Sequence, residues 1–172
     1  MILASLAAGG PDGTLVVVSR DRQRMALPEP GPRTPQEALD DWAAHSEGLR
    51  RTFQTLEDSS VGSPIAGATF AAPLPRAFHW AEGSCYLPHM ERIRGGRGEA
   101  LPRRHQELPI TYQSGSAPNW PPVSAVELPD VSWELDFEAT VFVMTDAVEI
   151  GAGADASDRI RLVGITNDTA HA

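Results

Sequence analysis

The stretch GSCYLPHMERIRGGRG, residues 83–98, gathers a thiol, a phenol, an imidazole and three guanidinium groups in one short segment. Cys85 stands four positions before His89, one helical turn, which is the spacing of a thiolate–imidazole nucleophile. No third group that would orient the imidazole is evident. Arg92, Arg94 and Arg97 could form a small anion site, with two of them reading as solvated helix residues. GGRG is too short a glycine pattern for a phosphate loop. His79 and His105 read as loop histidines. A second kind of chemistry lies further on. WELDFEATVFVM alternates Glu134, Asp136 and Glu138 with apolar residues, and IRLVGIT runs into Asn167 and Asp168. The acidic balance is compatible with carboxylates gathered around a divalent cation, but most acidic proteins are simply solvated, so this alone decides nothing. Taken alone, His89 is a surface or capping histidine, Glu138 a solvent-face strand residue and Asp168 a turn former.

The bulk composition narrows the classes. The chain has 172 residues, 41% hydrophobic and 22% charged, which is globular rather than disordered. Its net charge of −9 argues against binding nucleic acid through the phosphate backbone. A single cysteine, Cys85, permits neither an internal disulfide nor a cysteine zinc site, and a reducing cytoplasm is the expected location. No apolar run approaches the roughly 18 residues of a membrane span, and MILASLAAGG has no basic leader.

Several elements must position these groups. MILASL, GGPDG and TLVVVS read as a β-hairpin around turn chemistry. RDRQRMALPEPGPR is a polar, proline-rich connection. Thr34, Pro35 and Glu37 form a helix start with a capping box, and Leu39, Trp42, Ala43, Leu49, Phe53 and Leu56 follow helical spacing. Gly48 is the expected division point of that helix. The stripe is core packing rather than a cofactor site. Ser84 is the expected cap of a short helix over 85–94, with Pro88 about a turn in and His89 on a distorted helix start. WELDFEATVFVM is the clearest strand. Leu135, Phe137, Ala139, Val141 and Val143 form an apolar face, and the opposite face is acidic until its end. RIRLVGIT is a final strand. The fold class is mixed α/β and strand-rich.

Four pieces in order, APLPRAFHWAEGSCYLPHMERIRGGRG, LPITYQSGSA, WELDFEATVFVMTD and IRLVGITND, resemble the fumarylacetoacetate hydrolase family. The N-terminal hairpin and helix resemble the leading module of its bacterial members. Each motif is weak alone; their order and gaps carry the resemblance, which covers nearly the whole chain. It implies a module over residues 1–69, followed over 70–172 by the first part of the family's β-roll. The chain is expected to correspond to the N-terminal part of such a protein, whose relatives continue further.

The resemblance also implies a chemistry. Family members bind Mg²⁺ or Ca²⁺, with Mn²⁺ as a further ion, through carboxylates, and most hydrolyse a carbon–carbon bond in a β-diketo acid. A small oxo-acid substrate and a homodimer follow as expectations. His89 falls on the general base. Glu82 stands where the family has an aspartate ligand, Glu138 on the first member of a Glu-x-Glu pair, and Asp168 on the last metal ligand. In such a pair, period-two alternation puts both side chains on one face about 7 Å apart along the strand. Here the second position is Thr140, a neutral and shorter donor. Tyr112 and Arg97 match positions that contact substrate. The family's arginine four residues beyond the aspartate would be Ala172. The competing expectation is a truncated, non-catalytic family remnant that binds or interacts or has no activity, favoured by Thr140, Pro88 and the early stop. In that reading a sheet ending at Ala172 leaves an exposed apolar face.

Overall fold

The computed structural model describes residues 1–115 and 119–171. Ser116, Ala117 and Ala172, named in the motifs above, lie outside the described residues. The chain divides into two compact units, one formed by Met1–Pro75 with Asn119–Ala172 and the other by Arg76–Pro118. The mixed α/β character expected from the sequence is observed.

In the first unit, β1 (Ile2–Leu6) and β2 (Thr14–Val18) form the expected antiparallel hairpin, with Leu3 opposite Val17 and Ser5 opposite Leu15. The following segment is more than a connection. Arg24–Ala26 forms β3 against β2, because a turn at residues 19–22 returns the chain to the sheet. Buried Ser19 organises that turn: its hydroxyl donates to Asp21 Oδ1 at 2.6 Å and accepts from the Arg24 N–H at 3.0 Å.

Two helices follow. Thr34 caps α1 (Pro35–Asp40) by accepting from the Glu37 N–H at 3.1 Å, and Glu37 Oε2 accepts from the Arg33 N–H. The break comes at Asp41, not Gly48. Asp41 leaves helical geometry at φ −140°, ψ 65°, and its Oδ1 accepts from the Ala44 N–H. It thereby ends α1 and starts α2 (Trp42–Asp58), which runs unbroken for 17 residues through Gly48. Trp42, Leu49 and Leu56 recur on one face of α2 and are buried against Leu15 and Val17 of β2 and Ala38 and Leu39 of α1. Ala43, expected in that stripe, is exposed, so the buried face is narrower than the spacing suggested.

β4 (Ser63–Pro64) completes the sheet order β1-β2-β3-β4. Residues 69–71 then bond to the free side of β1: Ala7 N–H donates to the Thr69 carbonyl and Ala71 N–H to the Ser5 carbonyl, both at 2.9 Å. This covers an edge that would otherwise offer unpaired groups.

The second unit holds β5 (Ala81–Gly83), α3 (Leu87–Gly96), α4 (Arg103–Glu107) and β6 (Thr111–Gln113), with β5 and β6 antiparallel. The helix expected over 85–94 starts two residues later. Ser84 is not its cap, since the Ser84 N–H extends the β5–β6 ladder by donating to the Ile110 carbonyl at 2.8 Å. Tyr86 holds the cap position without a side-chain bond. Pro88 is the second helical residue, where its missing N–H costs no helical bond. The expected distortion at His89 therefore has no cause.

The chain returns to the first unit at Asn119, whose side chain donates to the Leu74 carbonyl at 3.0 Å. The segment expected as one strand is two: β7 (Leu135–Asp136) and β8 (Ala139–Thr145). β8 pairs with β9 (Ile160–Asn167), while β7 pairs with β10 (Ala170–His171). A register shift follows Met144 and leaves Arg161 as the extra residue, a β-bulge. Arg161 closes that end of the ribbon with Nη2 and Nε on Asp146 Oδ2, at 2.6 and 2.7 Å.

The β8–β9 ribbon docks through Met144 and Leu162, which face each other and pack on the Leu15–Leu49 cluster. Val141, Val143, Val163 and Ile165 on its other face are exposed, as is Phe137 before β8, so the apolar face read from the sequence is the outward one.

Candidate functional site

The inward face of the β8–β9 ribbon changes character along its length. Opposed residues of an antiparallel pair share a face, and that face runs Met144/Leu162, Phe142/Gly164, Thr140/Thr166. The next opposed pair in the same register is Glu138/Asp168. The face thus begins apolar on the core and ends in side-chain oxygens. Gly164 has a steric role here, since a Cβ at that position would overlap the Phe142 ring.

Glu138 and Asp168 lie just outside the strands but remain paired. The Asp168 N–H donates to the Glu138 carbonyl at 2.9 Å. A regular pair would return the bond from the Glu138 N–H to the Asp168 carbonyl. Instead that N–H donates to Asn167 Oδ1 at 2.8 Å. Asn167 therefore ends the ladder and fixes the two carboxylate-bearing residues opposite each other. Both are half-buried, as is Thr140. The role of Asn167 was not foreseen; its signal was the asparagine directly before the aspartate at a strand end, which is turn chemistry.

The four other predicted residues belong to the Arg76–Pro118 unit. Glu82 and Tyr112 are direct cross-strand partners on β5 and β6 and share a face. Glu82 is half-buried and Tyr112 exposed. His89 is exposed in the first turn of α3, with its N–H donating to the Tyr86 carbonyl at 3.0 Å. Arg97 caps the other end of α3 and is exposed. Arg94 on that helix is engaged, with Nη1 on Glu99 Oε2 at 3.0 Å.

Cys85 and His89 do not share a helix, because α3 begins at Leu87 and the Cys85 N–H donates to the Gly83 carbonyl at 2.8 Å. The one-turn spacing of a nucleophilic pair does not apply to them. His105, expected in a loop, is on α4 and lines a cavity of about 140 Å³ together with Cys85, Ser84 and Leu87.

The structure thus brings together Glu138 with Asp168, and Glu82 with Tyr112. Among the described residues, no group of three or more His, Cys, Asp or Glu is gathered so as to hold a metal ion. The oxygen donors on the Glu138 face, two carboxylates beside the Thr140 and Thr166 hydroxyls, fit the preference of a hard cation. Among the described residues, no helix is long and apolar enough to cross a membrane.

Residues 1–76 match the family model described as Fumarylacetoacetase N-terminal domain 2. No curated protein matches the chain.

Proposed function

We propose that the chain, whose residues 1–76 match the Fumarylacetoacetase N-terminal domain 2 model, belongs to a hydrolase cleaving a carbon–carbon bond in a small β-diketo or oxo-acid. The observation that carries this reading is the pairing of Glu138 with Asp168, two carboxylates set opposite each other at the end of the β8–β9 ribbon. They would hold Mg²⁺ or Ca²⁺, and Glu82 is the further carboxylate that the family pattern supplies. Bound there, the cation would polarise the oxo group of the substrate. We read the ribbon as the first part of a β-roll.

The chain's own residues would do the rest. The imidazole of His89 would accept the proton of an attacking water. Arg97 would pair with the substrate carboxylate through two parallel hydrogen bonds. The hydroxyl of Tyr112, beside Glu82, would donate to a substrate oxygen.

A non-catalytic binding role is the second reading, favoured by Thr140 where the pattern has a carboxylate. A thermal melt of the 172-residue chain separates the two. A ligand that binds only the native state raises the melting temperature in a concentration-dependent way. Mg²⁺, Ca²⁺ or Mn²⁺ should raise it, chelator should reverse the rise, and Glu138→Gln or Asp168→Asn should abolish it. Cleavage of a β-diketo acid, lost in His89→Asn, completes the test. A cooperative melt indifferent to all three metals would overturn the hydrolase reading in favour of the second.

A further inference from the structure

The outer face of the four-stranded sheet, away from α2, carries Ile2 and Ala4 opposite Val18 and Val16. The segment through Ile65 and Phe70 passes beside it, and an apolar groove of about 230 Å³ remains, lined by Ile2, Ala4, Val18, Ile65, Phe70 and Arg22. Arg22 is the single charged residue in that lining.

Three arginines leave the β2–β3 turn, and two have structural work. Arg20 meets Glu57, with Nε on Oε2 at 3.5 Å. Arg24 donates through Nη1 to the carbonyls of Ser59 and Val61. Among the described residues, the Arg22 guanidinium has no carboxylate or carbonyl partner. The neighbouring Asp21 carboxylate is taken up by the Ser19 hydroxyl and the Gln23 N–H. Arg22 also sits at φ 58°, the left-handed region where a side chain costs energy and glycine does not. Arg22 is exposed, so its guanidinium is hydrated and is free to meet an anion at the edge of the apolar groove.

We propose that this groove binds a small apolar monocarboxylate, its hydrocarbon body against Ile2, Val18 and Phe70 and its carboxylate on the Arg22 guanidinium. The size limits the ligand. The groove is open to solvent and smaller than the about 300–1,000 Å³ of drug-sized sites, so a short acid of about six carbons is the right scale. The charge limits it too. One guanidinium matches one carboxylate bidentately, and a chain of net charge −9 disfavours polyanions. The site lies within the Met1–Pro75 stretch and does not rest on the hydrolase reading.

The experiment follows the methyl resonances of Ile2, Ala4, Val18 and Ile65 in the 172-residue chain during titration with hexanoate, with hexanol as the neutral control. Hexanoate should give saturable shifts at millimolar concentration and bind at least roughly tenfold more tightly than hexanol. Arg22→Gly removes the guanidinium while suiting the left-handed turn, so its melting temperature should hold or rise while hexanoate affinity falls to that of hexanol. Ala4→Leu, which fills the groove without touching Arg22, should abolish both. Equal binding of hexanoate and hexanol by the unaltered chain, no saturable shifts, or hexanoate binding undiminished in a folded Arg22→Gly would each overturn the proposal.

Discussion

The backbone N–H of Asp168 donates to the backbone carbonyl of Glu138 at 2.9 Å, and the return bond is taken by the side chain of Asn167. The two carboxylate-bearing residues are thus held opposite each other by the backbone and by a neighbouring amide. Their side chains are left for other work, and altering them should leave the ribbon folded.

Thr140 is one opposed pair away from that position on the same face, across from Thr166. Thr140→Glu adds a third carboxylate there, and ligand charge tunes cation affinity. The expected outcome is a larger metal-induced rise in melting temperature than in the unaltered chain. Calorimetric titration with Mg²⁺ or Ca²⁺ checks it, and unchanged affinity would remove this face as the metal site.

Leu49 is fully buried at the centre of the cluster formed by β2, α1 and α2. Leu49→Ala should cost about 2–5 kcal/mol in a denaturant titration, through lost burial and the cavity left behind. Ile165, 81% exposed on the ribbon's outer face, provides the contrast. Ile165→Ala should stay within about 0.5 kcal/mol.

Gly164 lies directly across from Phe142, whose ring occupies the space of the missing side chain. Gly164→Ala must push the ring off its position, at a cost of about 1–3 kcal/mol. Denaturant midpoint and the Phe142 ring resonances would report it together. A stable variant with an unmoved ring would refute the account.

Asp21 accepts from the Ser19 hydroxyl and then from the Gln23 N–H, and these bonds hold its carboxyl below the usual aspartate range. A lowered folded-state value means that the unfolded chain binds the proton more readily. The stabilisation is complete above the unfolded value, about 3.9, and is lost as pH falls through the lower folded value. Asp21→Asn should therefore reduce stability at neutral pH and flatten its decline in acid. Melting temperature measured across that range checks the sign.

The N-terminal part was legible because its signals are local. The β1–β2 turn chemistry, the Thr34 cap and the Leu39–Leu56 stripe each sit within a few residues of what they decide. Asp41 was missed because a residue that both ends and starts a helix leaves no gap in the hydrophobic pattern. β3 was missed because its three residues, Arg24–Ala26, are paired by a turn that a buried serine organises. The outward aim of Val141 and Val143 was not readable from alternation, which fixes which residues share a face but not which face meets the core. At the candidate site, the residue types of Glu138 and Asp168 were legible and so was their order. Their opposition depends on the β8–β9 register, in which Asn167 takes part through its side chain.

Met144 and Leu162 close a cluster whose other members come from the first 75 residues. On a ribosome making about 5–20 residues per second, β9 emerges on the order of ten seconds after Ala72. Through that interval the nascent sheet and α2 have an uncovered greasy side. A chaperone that recognises exposed aliphatic side chains has its longest opportunity then, and a translational pause placed before Ile160 would lengthen it.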